Sequence, residues 1–256
     1  MSSIVNNENK TKWKPSVLLG IILYLGYLAI FFATWTVNKV DYTRIGENAD
    51  TTKLWYALPT LFGSLFLVIA ISVLKWWRIV LFDKRKAGPK WIWILPIAML
   101  LIIINNFANL NVEALSIELI LWSGLGALGV GFGEEMITRG SMVVGLRSQF
   151  SEWKVWLYST LLFSALHIPN VIFGLPISSM PIQVILTFII GSGFYIIRRV
   201  SGTLIIPMIL HGLWDSSLFI TDASGGTVSP IQLIIYPLAI VCVFVVLFKN
   251  RETKVN

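Results

Sequence analysis

The two histidines of this chain lie in apolar segments, where ionisable side chains are rare. His167 stands in FSALH and His211 in HGLWD, and a third apolar segment contains the adjacent carboxylates Glu134 and Glu135. A carboxylate in a partly dry pocket can act as a general base, and a nearby histidine can share its proton. Water held between Glu134 and His167 would be a competent nucleophile for a peptide bond. His211 and Asp215 would then contact the carbonyl oxygen from the other side.

Each of the three segments also contains a pair of residues four positions apart. On a helix this spacing places both members on one face. The pairs are Glu135 with Arg139, Phe163 with His167, and His211 with Asp215. Glu135 and Arg139 can therefore form an ion pair, while Glu134 is turned by about 100° and faces elsewhere. Pairing thus neutralises one carboxylate and leaves the other available for chemistry.

The polar residues have a common depth when they are counted from the nearest basic flank. The separations are 13, 13 and 12 residues, for Glu134 from Arg147, His167 from Lys154 and His211 from Arg199. At about 1.5 Å per residue, each lies roughly 18 to 20 Å along its helix, near the middle of a membrane. A charged group there costs about 2.5 to 3.5 kcal/mol if it faces lipid. The charged groups of these segments are therefore predicted to face one another or a wet cavity.

The elements that position these residues are predicted to be membrane-spanning helices. Of 256 residues, 56% are hydrophobic and 13% are charged, and the mean hydropathy is +0.77, which is typical of a membrane protein. Continuous apolar runs favour helices over a membrane barrel, whose strands alternate. Eight runs are candidate spans: 16–37, 54–75, 91–107, 114–146, 154–169, 181–197, 203–220 and 229–248. The predicted fold is all-α, a polytopic membrane protein of about eight transmembrane helices with a buried polar site.

Basic residues alternate between the predicted loops. The loops 106–113, 170–180 and 221–228 contain none, and the basic residues of the loop 38–53 are balanced by Asp41, Glu47 and Asp50, whereas the remaining loops and the termini are rich in basic residues. The basic clusters comprise Lys10, Lys12, Lys14, Lys75, Arg78, Lys84, Arg85, Lys86, Lys90, Arg147, Lys154, Arg198, Arg199, Lys249, Arg251 and Lys254. This asymmetry predicts a multi-pass membrane protein with both termini in the cytoplasm, and it makes Arg147, Arg198 and Arg199 topology signals. The frequent use of Lys, Asn and Ile indicates a bacterium, so the predicted location is a bacterial cell membrane. The net charge of +7 is then explained by basic cytoplasmic residues that contact anionic lipids of the bilayer, and no nucleic-acid partner is predicted.

The chain is predicted to form a single membrane domain, residues 1–256, without a soluble domain or an internal repeat. Cys242 is the only cysteine, which excludes an intrachain disulfide and a multi-cysteine metal site. The glycines between 124 and 133 let neighbouring helices approach closely. The letters GLGALG match a dinucleotide-binding fingerprint, but they lie in an apolar run without a preceding strand, so no dinucleotide is predicted.

The ordered motifs resemble the three signatures of the CPBP family of intramembrane proteases. These are EExxxR with Glu134, Glu135 and Arg139, FxxxH with Phe163 and His167, and HxxxD with His211 and Asp215. That family includes the type II CAAX prenyl endopeptidases and the bacterial Abi proteins. Each motif alone is weak, but the ordered trio uses both histidines of the chain. The resemblance covers about residues 115–220, a protease-like core.

The resemblance implies a role for each motif residue. Glu134 would activate water, His167 would help to hold it, and His211 with Asp215 would stabilise the oxyanion. The remaining motif residues would support the site, namely Glu135, Arg139 and Phe163. Asp215 stands where the prenyl proteases carry Asn, and an ionised Asp only accepts hydrogen bonds. Asp215 is therefore protonated, or orients His211, or binds a metal.

The predicted function is an intramembrane endopeptidase that hydrolyses a peptide or a membrane-associated protein. The bacterial branch of the family implies signal-peptide maturation or bacteriocin immunity. No cofactor is predicted; zinc is the alternative, because two histidines and a carboxylate form an acceptable ligand set, although the HExxH spacing is absent. Two other functions stay open: a non-catalytic immunity or binding protein, and a transporter or proton relay. Asn170 is interpreted as a loop cap, and the oligomeric state is left open.

Overall fold

The computed structural model describes residues 13–83 and 86–249. Eight long helices run back and forth: α1 Val17–Val37, α2 Ala49–Leu74, α3 Lys90–Ala108, α4 Ile117–Leu146, α5 Glu152–Phe173, α6 Met180–Ser201, α7 Ile205–Ala223 and α8 Pro230–Phe248. Shorter elements are the one-turn helix Trp77–Leu81 and the 3-10 turns Tyr42–Arg44 and Val112–Ala114. Within the described ranges the extended structure is one isolated bridge between Phe82 and Thr203. The predicted all-α class is confirmed.

Six basic residues of the topology argument lie outside the described residues: Lys10, Lys12, Lys84, Arg85, Arg251 and Lys254.

Seven of these helices are long and apolar enough to cross a membrane, which confirms a multi-pass membrane protein. The remaining predicted span, 203–220, corresponds to α7, which forms a helix of 19 residues but is less apolar. It carries His211, Asp215 and Asp222. Because α7 packs mainly against α4 and α3, most of its surface is covered by protein rather than lipid. Polar residues that face the interior of a bundle avoid the cost of contact with hydrocarbon.

Helix α4 runs through the centre of the bundle, and its glycines admit neighbours on two faces. On one face, a Cβ atom would overlap side chains of α1 and α2: Gly126 meets Tyr56, Gly129 meets Thr60, and Gly133 meets Tyr27. On another face, Gly131 lies against the backbone of α7 at Met208 and Gly212. Small residues permit such close crossings between membrane helices. The glycines therefore bring α1, α2 and α7 against the carboxylates of α4.

One π-helical turn, Met136–Met142, interrupts α4 directly after the two carboxylates. All seven of its residues are buried. Single π turns inside α-helices occur frequently at functional sites. The sequence predicts one continuous helix over 114–146 and does not reveal this turn, because a segment buried on all sides lacks the amphipathic period that reports helix geometry.

A buried ion cluster around Asp83 closes one end of the bundle. The Asp83 side chain is 1% exposed and pairs with Arg147 at 2.8 Å, with Arg198 at 2.8 Å and with Arg199 at 3.3 Å. Burial by itself raises the pKa of Asp83, but the charges of Arg198 and Arg147 outweigh it and hold this pKa well below its usual range. The three arginines therefore tie the 75–90 segment to the ends of α4 and α6, a structural role that their interpretation as topology signals omits.

The loops divide between two ends of the molecule, which we call the basic end and the opposite end. The basic end holds the loops 75–89, 147–151 and 202–204, where the amide of Ala87 donates to the carbonyl of Arg199 at 2.9 Å. The opposite end holds the loops 38–48, 109–116, 174–179 and 224–229, where the amide of Asn111 donates to Ser224 at 3.3 Å. Every long helix, including α7, therefore runs from one end to the other.

Candidate active site

The crossing of α4 and α7 brings the motif residues of both helices together. Imidazole Nε2 of His211 lies 4.0 Å from Oε2 of Glu134 and 3.5 Å from Oδ2 of Asp215. Its Nδ1 lies 3.1 Å from Oε1 of Glu135. The ring also stacks on Phe194, with 4.6 Å between the ring centroids. His211 is thus surrounded by three carboxylates, and a protonated ring, which donates from both nitrogens, suits this position.

Glu135 and Arg139 form the ion pair that their spacing predicts, with Nη1 and Oε1 3.1 Å apart and both side chains fully buried. Glu135 Oε1 thereby binds Arg139 and His211 together. The Arg139 guanidinium lies 3.6 Å from the centroid of the Phe163 ring, a cation–π contact. Phe163 also contacts the rings of His167 and His211, at centroid distances of 5.5 and 5.6 Å. Phe163 therefore separates the two imidazoles and packs against the cation.

His167 lies just beyond the α-helical part of α5 and not inside it. That part ends at Ala165, and a 3-10 turn, Ile168–Phe173, follows. Pro169 explains the change, because proline lacks an amide donor and restricts the residue before it. His167 Nδ1 lies 3.3 Å from the carbonyl oxygen of Phe163, so a protonated Nδ1 donates to that oxygen and leaves Nε2 free for other partners.

A cavity of about 290 Å³ adjoins the motif residues. Glu134, His167 and Asp215 are part of its wall. Oε2 of Glu134 is buried and accepts no hydrogen bond from the described residues. His211, 4% exposed, lies behind this wall. The cavity therefore presents two carboxylates and one imidazole, while the second imidazole supports them from behind.

Much of the cavity wall comes from α1 and α2, which sequence reasoning did not connect with the site. Tyr27, Tyr56 and Thr60 line it, together with a set of aromatic and apolar side chains: Phe31, Phe32, Trp35, Tyr42, Trp55, Phe173 and Phe219. The hydroxyls of Tyr27 and Tyr56 are buried and have no hydrogen-bond partner among the described residues. Two tyrosines in apolar runs were a weak signal, because tyrosine is common in membrane helices near interfaces.

Asn170 also lines the cavity, and its side chain does not act as a loop cap. Its amide donates to Gln183 at 3.1 Å, and Gln183 donates to the hydroxyl of Tyr42 at 2.7 Å. This chain of hydrogen bonds joins the end of α5 to α6 and to the loop after α1. It therefore fixes the wall of the cavity at the opposite end of the bundle.

The predicted zinc alternative needs a suitable set of ligands. In the part of the chain that the structure describes, no three His, Cys, Asp or Glu side chains are grouped in a way that could hold a metal ion. His211 already contacts Glu135 through Nδ1, and its Nε2 faces two carboxylates. Both nitrogen atoms of His211 therefore face carboxylates.

The comparison with protein families agrees with the motif positions. Residues 114–217 match the family model described as type II CAAX prenyl endopeptidase Rce1-like. The matched region spans about two fifths of the chain and contains every motif residue from Glu134 to Asp215. This match confirms the resemblance of residues 114–217 to the CPBP family of membrane endopeptidases. Searches of curated proteins and of solved structures found no match.

Proposed function

We propose that this chain is a glutamate-type intramembrane endopeptidase in which Glu134 activates the attacking water. The observation that carries the proposal is the position of Glu134, which lines the cavity and whose Oε2 has no hydrogen-bond partner among the described residues. The Glu134 side chain keeps 14% of its surface exposed, so its carboxylate can bind a water in the cavity. His167, on the same wall, would hold that water from a second side.

Hydrolysis then follows with few protein groups. Glu134 takes a proton from the water while the water oxygen attacks the carbonyl carbon of the peptide bond. The resulting tetrahedral oxyanion collapses, the bond from carbon to nitrogen breaks, and the proton held by Glu134 passes to the leaving amine. The products are a carboxylic acid and an amine, so no group other than water is consumed.

The oxyanion needs hydrogen-bond donors that face the cavity. We assign this role first to Tyr27 and Tyr56, because both residues line the cavity and their hydroxyls lack a hydrogen-bond partner among the described residues. His211 lies behind the wall and is surrounded by carboxylates, so its contribution is to hold Glu134 and Asp215 in position. Of the three roles open to Asp215, the 3.5 Å contact with Nε2 favours orientation of His211.

The proposal includes a reaction without a metal cofactor. Its support is the donor set, in which the carboxylates engage His211 and Arg139 and do not converge on an ion. Activity of the purified protein should persist after exhaustive chelation. Loss of activity that is restored specifically by zinc would contradict this part of the proposal.

The substrate would be a peptide or a membrane-associated protein, as a membrane endopeptidase requires. Maturation of a signal peptide and immunity to a bacteriocin are the biological uses we propose. The basic loops favour a cell-membrane protein with both termini in the cytoplasm.

Comparative proteomics of membrane and secreted peptides tests the proposal. Cells with the native chain should contain cleaved peptides that are absent with Glu134→Gln. Glu118→Gln, an exposed carboxylate at the start of the same helix, is the matched control and should leave these peptides unchanged. Identical peptide sets for the native chain and Glu134→Gln would contradict proteolysis, and a biological effect that survives Glu134→Gln would favour a non-catalytic binding protein.

A further inference from the structure

The cavity occupies only one half of the bundle. Helix α1 contributes residues from Tyr27 to Trp35, in its second half, and α2 contributes Trp55 to Thr60, in its first turns. Helix α5 contributes its last segment, which ends with Phe173. The loop after α1 adds Tyr42 and Ile45. All of these segments lie toward the opposite end, away from the ion cluster of Asp83.

The cavity is closed toward the basic end. Between Glu134 and the basic end, the π turn fills the interior with fully buried side chains, among them Met136 and Ile137. Met142, at the end of that turn, packs against Gly20 of α1, where an added Cβ atom would come within 2.9 Å of its sulfur atom. A water path from Glu134 therefore leads toward the loops of the opposite end and not toward the basic end.

The two ends differ sharply in charge. Among the described residues, the basic end carries Lys14, Lys75, Arg78, Lys86, Lys90, Arg147, Lys154, Arg198 and Arg199. At the opposite end the basic residues of the described chain are Lys39, Arg44 and Lys53, and the nearby acids Asp41, Glu47 and Asp50 balance them. Lysine and arginine are retained on the cytoplasmic side of a membrane, so this difference orients the whole bundle.

We infer that the active-site cavity opens to the extracytoplasmic side of the membrane and takes exported peptide segments as substrates. The mouth is aromatic, because Phe173 contacts Phe32 and Trp35 of α1 at ring distances of 5.7 and 5.0 Å. The volume of about 290 Å³ is at the lower limit of ordinary ligand pockets. It therefore suits one large apolar side chain and its adjoining peptide bond. The access side follows from the fold and the charges, whereas the substrate class rests on the proposed function.

Cysteine accessibility tests the access side without any assay of proteolysis. Cys242→Ala gives a background without a native thiol, and single cysteines are then introduced as Val130→Cys in the cavity wall, Glu47→Cys in the loop after α1, and Gln149→Cys at the basic end. Bacterial spheroplasts receive a small membrane-impermeant methanethiosulfonate reagent. Thiols that remain unmodified are then revealed by denaturation and a gel shift with polymer-linked maleimide.

Val130→Cys and Glu47→Cys should lose the gel shift in intact spheroplasts, whereas Gln149→Cys should lose it only after the membrane is broken. Modification of Val130→Cys only from the cytoplasmic side, or from neither side, would overturn the proposal. So would modification of Gln149→Cys in intact spheroplasts. A full gel shift of every variant without the reagent, together with a single peak in size-exclusion chromatography, establishes that each protein is present and folded.

The substrate class has its own readout. The peptides that depend on Glu134 should come from exported or extracytoplasmic segments, and a set confined to cytoplasmic segments would overturn this part of the inference. If no peptide depends on Glu134 while the accessibility pattern is as expected, the proposed proteolysis fails and the access side stands. The two failures are therefore distinguishable.

Discussion

At the scale of single residues, the two adjacent carboxylates of α4 have different environments. Glu135 is fully buried and binds Arg139 and His211, whereas Glu134 faces the cavity and leaves Oε2 without a partner among the described residues. Neighbouring positions on a helix are turned by about 100° from each other, which allows this division. One carboxylate therefore stabilises the site, and the other is available for chemistry.

Glu135→Gln and Glu134→Gln should separate stability from activity. Removal of the Glu135 charge leaves the Arg139 guanidinium buried without its counter-ion, and breaking such a pair costs about 3 to 5 kcal/mol. Glu134→Gln should abolish cleavage and change stability far less. Thermal unfolding in detergent, with cleavage measured on the same preparations, checks both. Equal loss of stability in the two variants would contradict the division of roles.

Tyr27→Phe and Tyr56→Phe should reduce kcat with little change in KM. Loss of one oxyanion donor typically lowers kcat by about 100-fold or more. Tyr24→Phe is the matched control, because its buried hydroxyl donates to the carbonyl of Leu162 at 2.7 Å and does not line the cavity. That control should lose about 1 kcal/mol of stability and keep its kcat. A kcat unchanged by both cavity variants would remove these tyrosines from the mechanism.

At the scale of elements, close helix crossings rather than loops assemble the site. Gly131 of α4 meets backbone atoms of α7, including the amide nitrogen of Gly212, 2.8 Å from the position of an added Cβ atom. This contact sets the distance between Glu134 and His211. A side chain at Gly131 would push apart two backbones, which cannot rotate away as a flexible side chain can.

Gly131→Ala should therefore destabilise the protein, by about 1 to 3 kcal/mol, as overpacking of a dense core does. Gly124→Ala lies two turns earlier on the same helix, where an added Cβ atom meets nothing within 4 Å. That variant should gain up to about 1 kcal/mol, because alanine is the better helix former. Melting temperatures of both variants in one detergent test the difference. An equal effect of the two substitutions would show that the crossing does not limit the packing.

At the scale of the whole molecule, the ion cluster of Asp83 links the segments of the basic end to one another. It also makes the stability of the protein depend on pH. Because the pKa of Asp83 is lower in the folded state, the unfolded state binds more protons at acidic pH. The contribution is thus fully present above the ordinary pKa of about 3.9 and is lost as pH falls below it. Asp83→Asn should destabilise the protein at neutral pH and flatten this acid dependence.

Glu113→Gln, an exposed carboxylate in the loop before α4, is the control and should keep the wild-type profile. Melting temperatures between about pH 2 and pH 6, roughly two units on either side of the ordinary aspartate pKa, provide the measurement. An acid dependence that is identical in Asp83→Asn and in the native chain would assign it to other carboxylates.

The sequence alone determined the helical membrane class, the order of the helices and the motif residues, because each depends on local properties. Hydropathy over a run of about 20 residues predicts a span, and a spacing of four predicts a shared helical face. The pairing of Glu135 with Arg139 was predictable for this reason. These features need no knowledge of which helix neighbours which.

Tertiary structure decided the rest, because it depends on contacts between residues far apart in the chain. It gave His211 the carboxylate of Glu135 as a partner, and it brought Tyr27 and Tyr56 to the cavity from helices outside the motif region. It also turned Asp83 and three arginines into a buried cluster and inserted the π turn after Glu135. In a uniformly apolar chain, the sequence pattern does not say which faces of two helices meet, and only packing selects them.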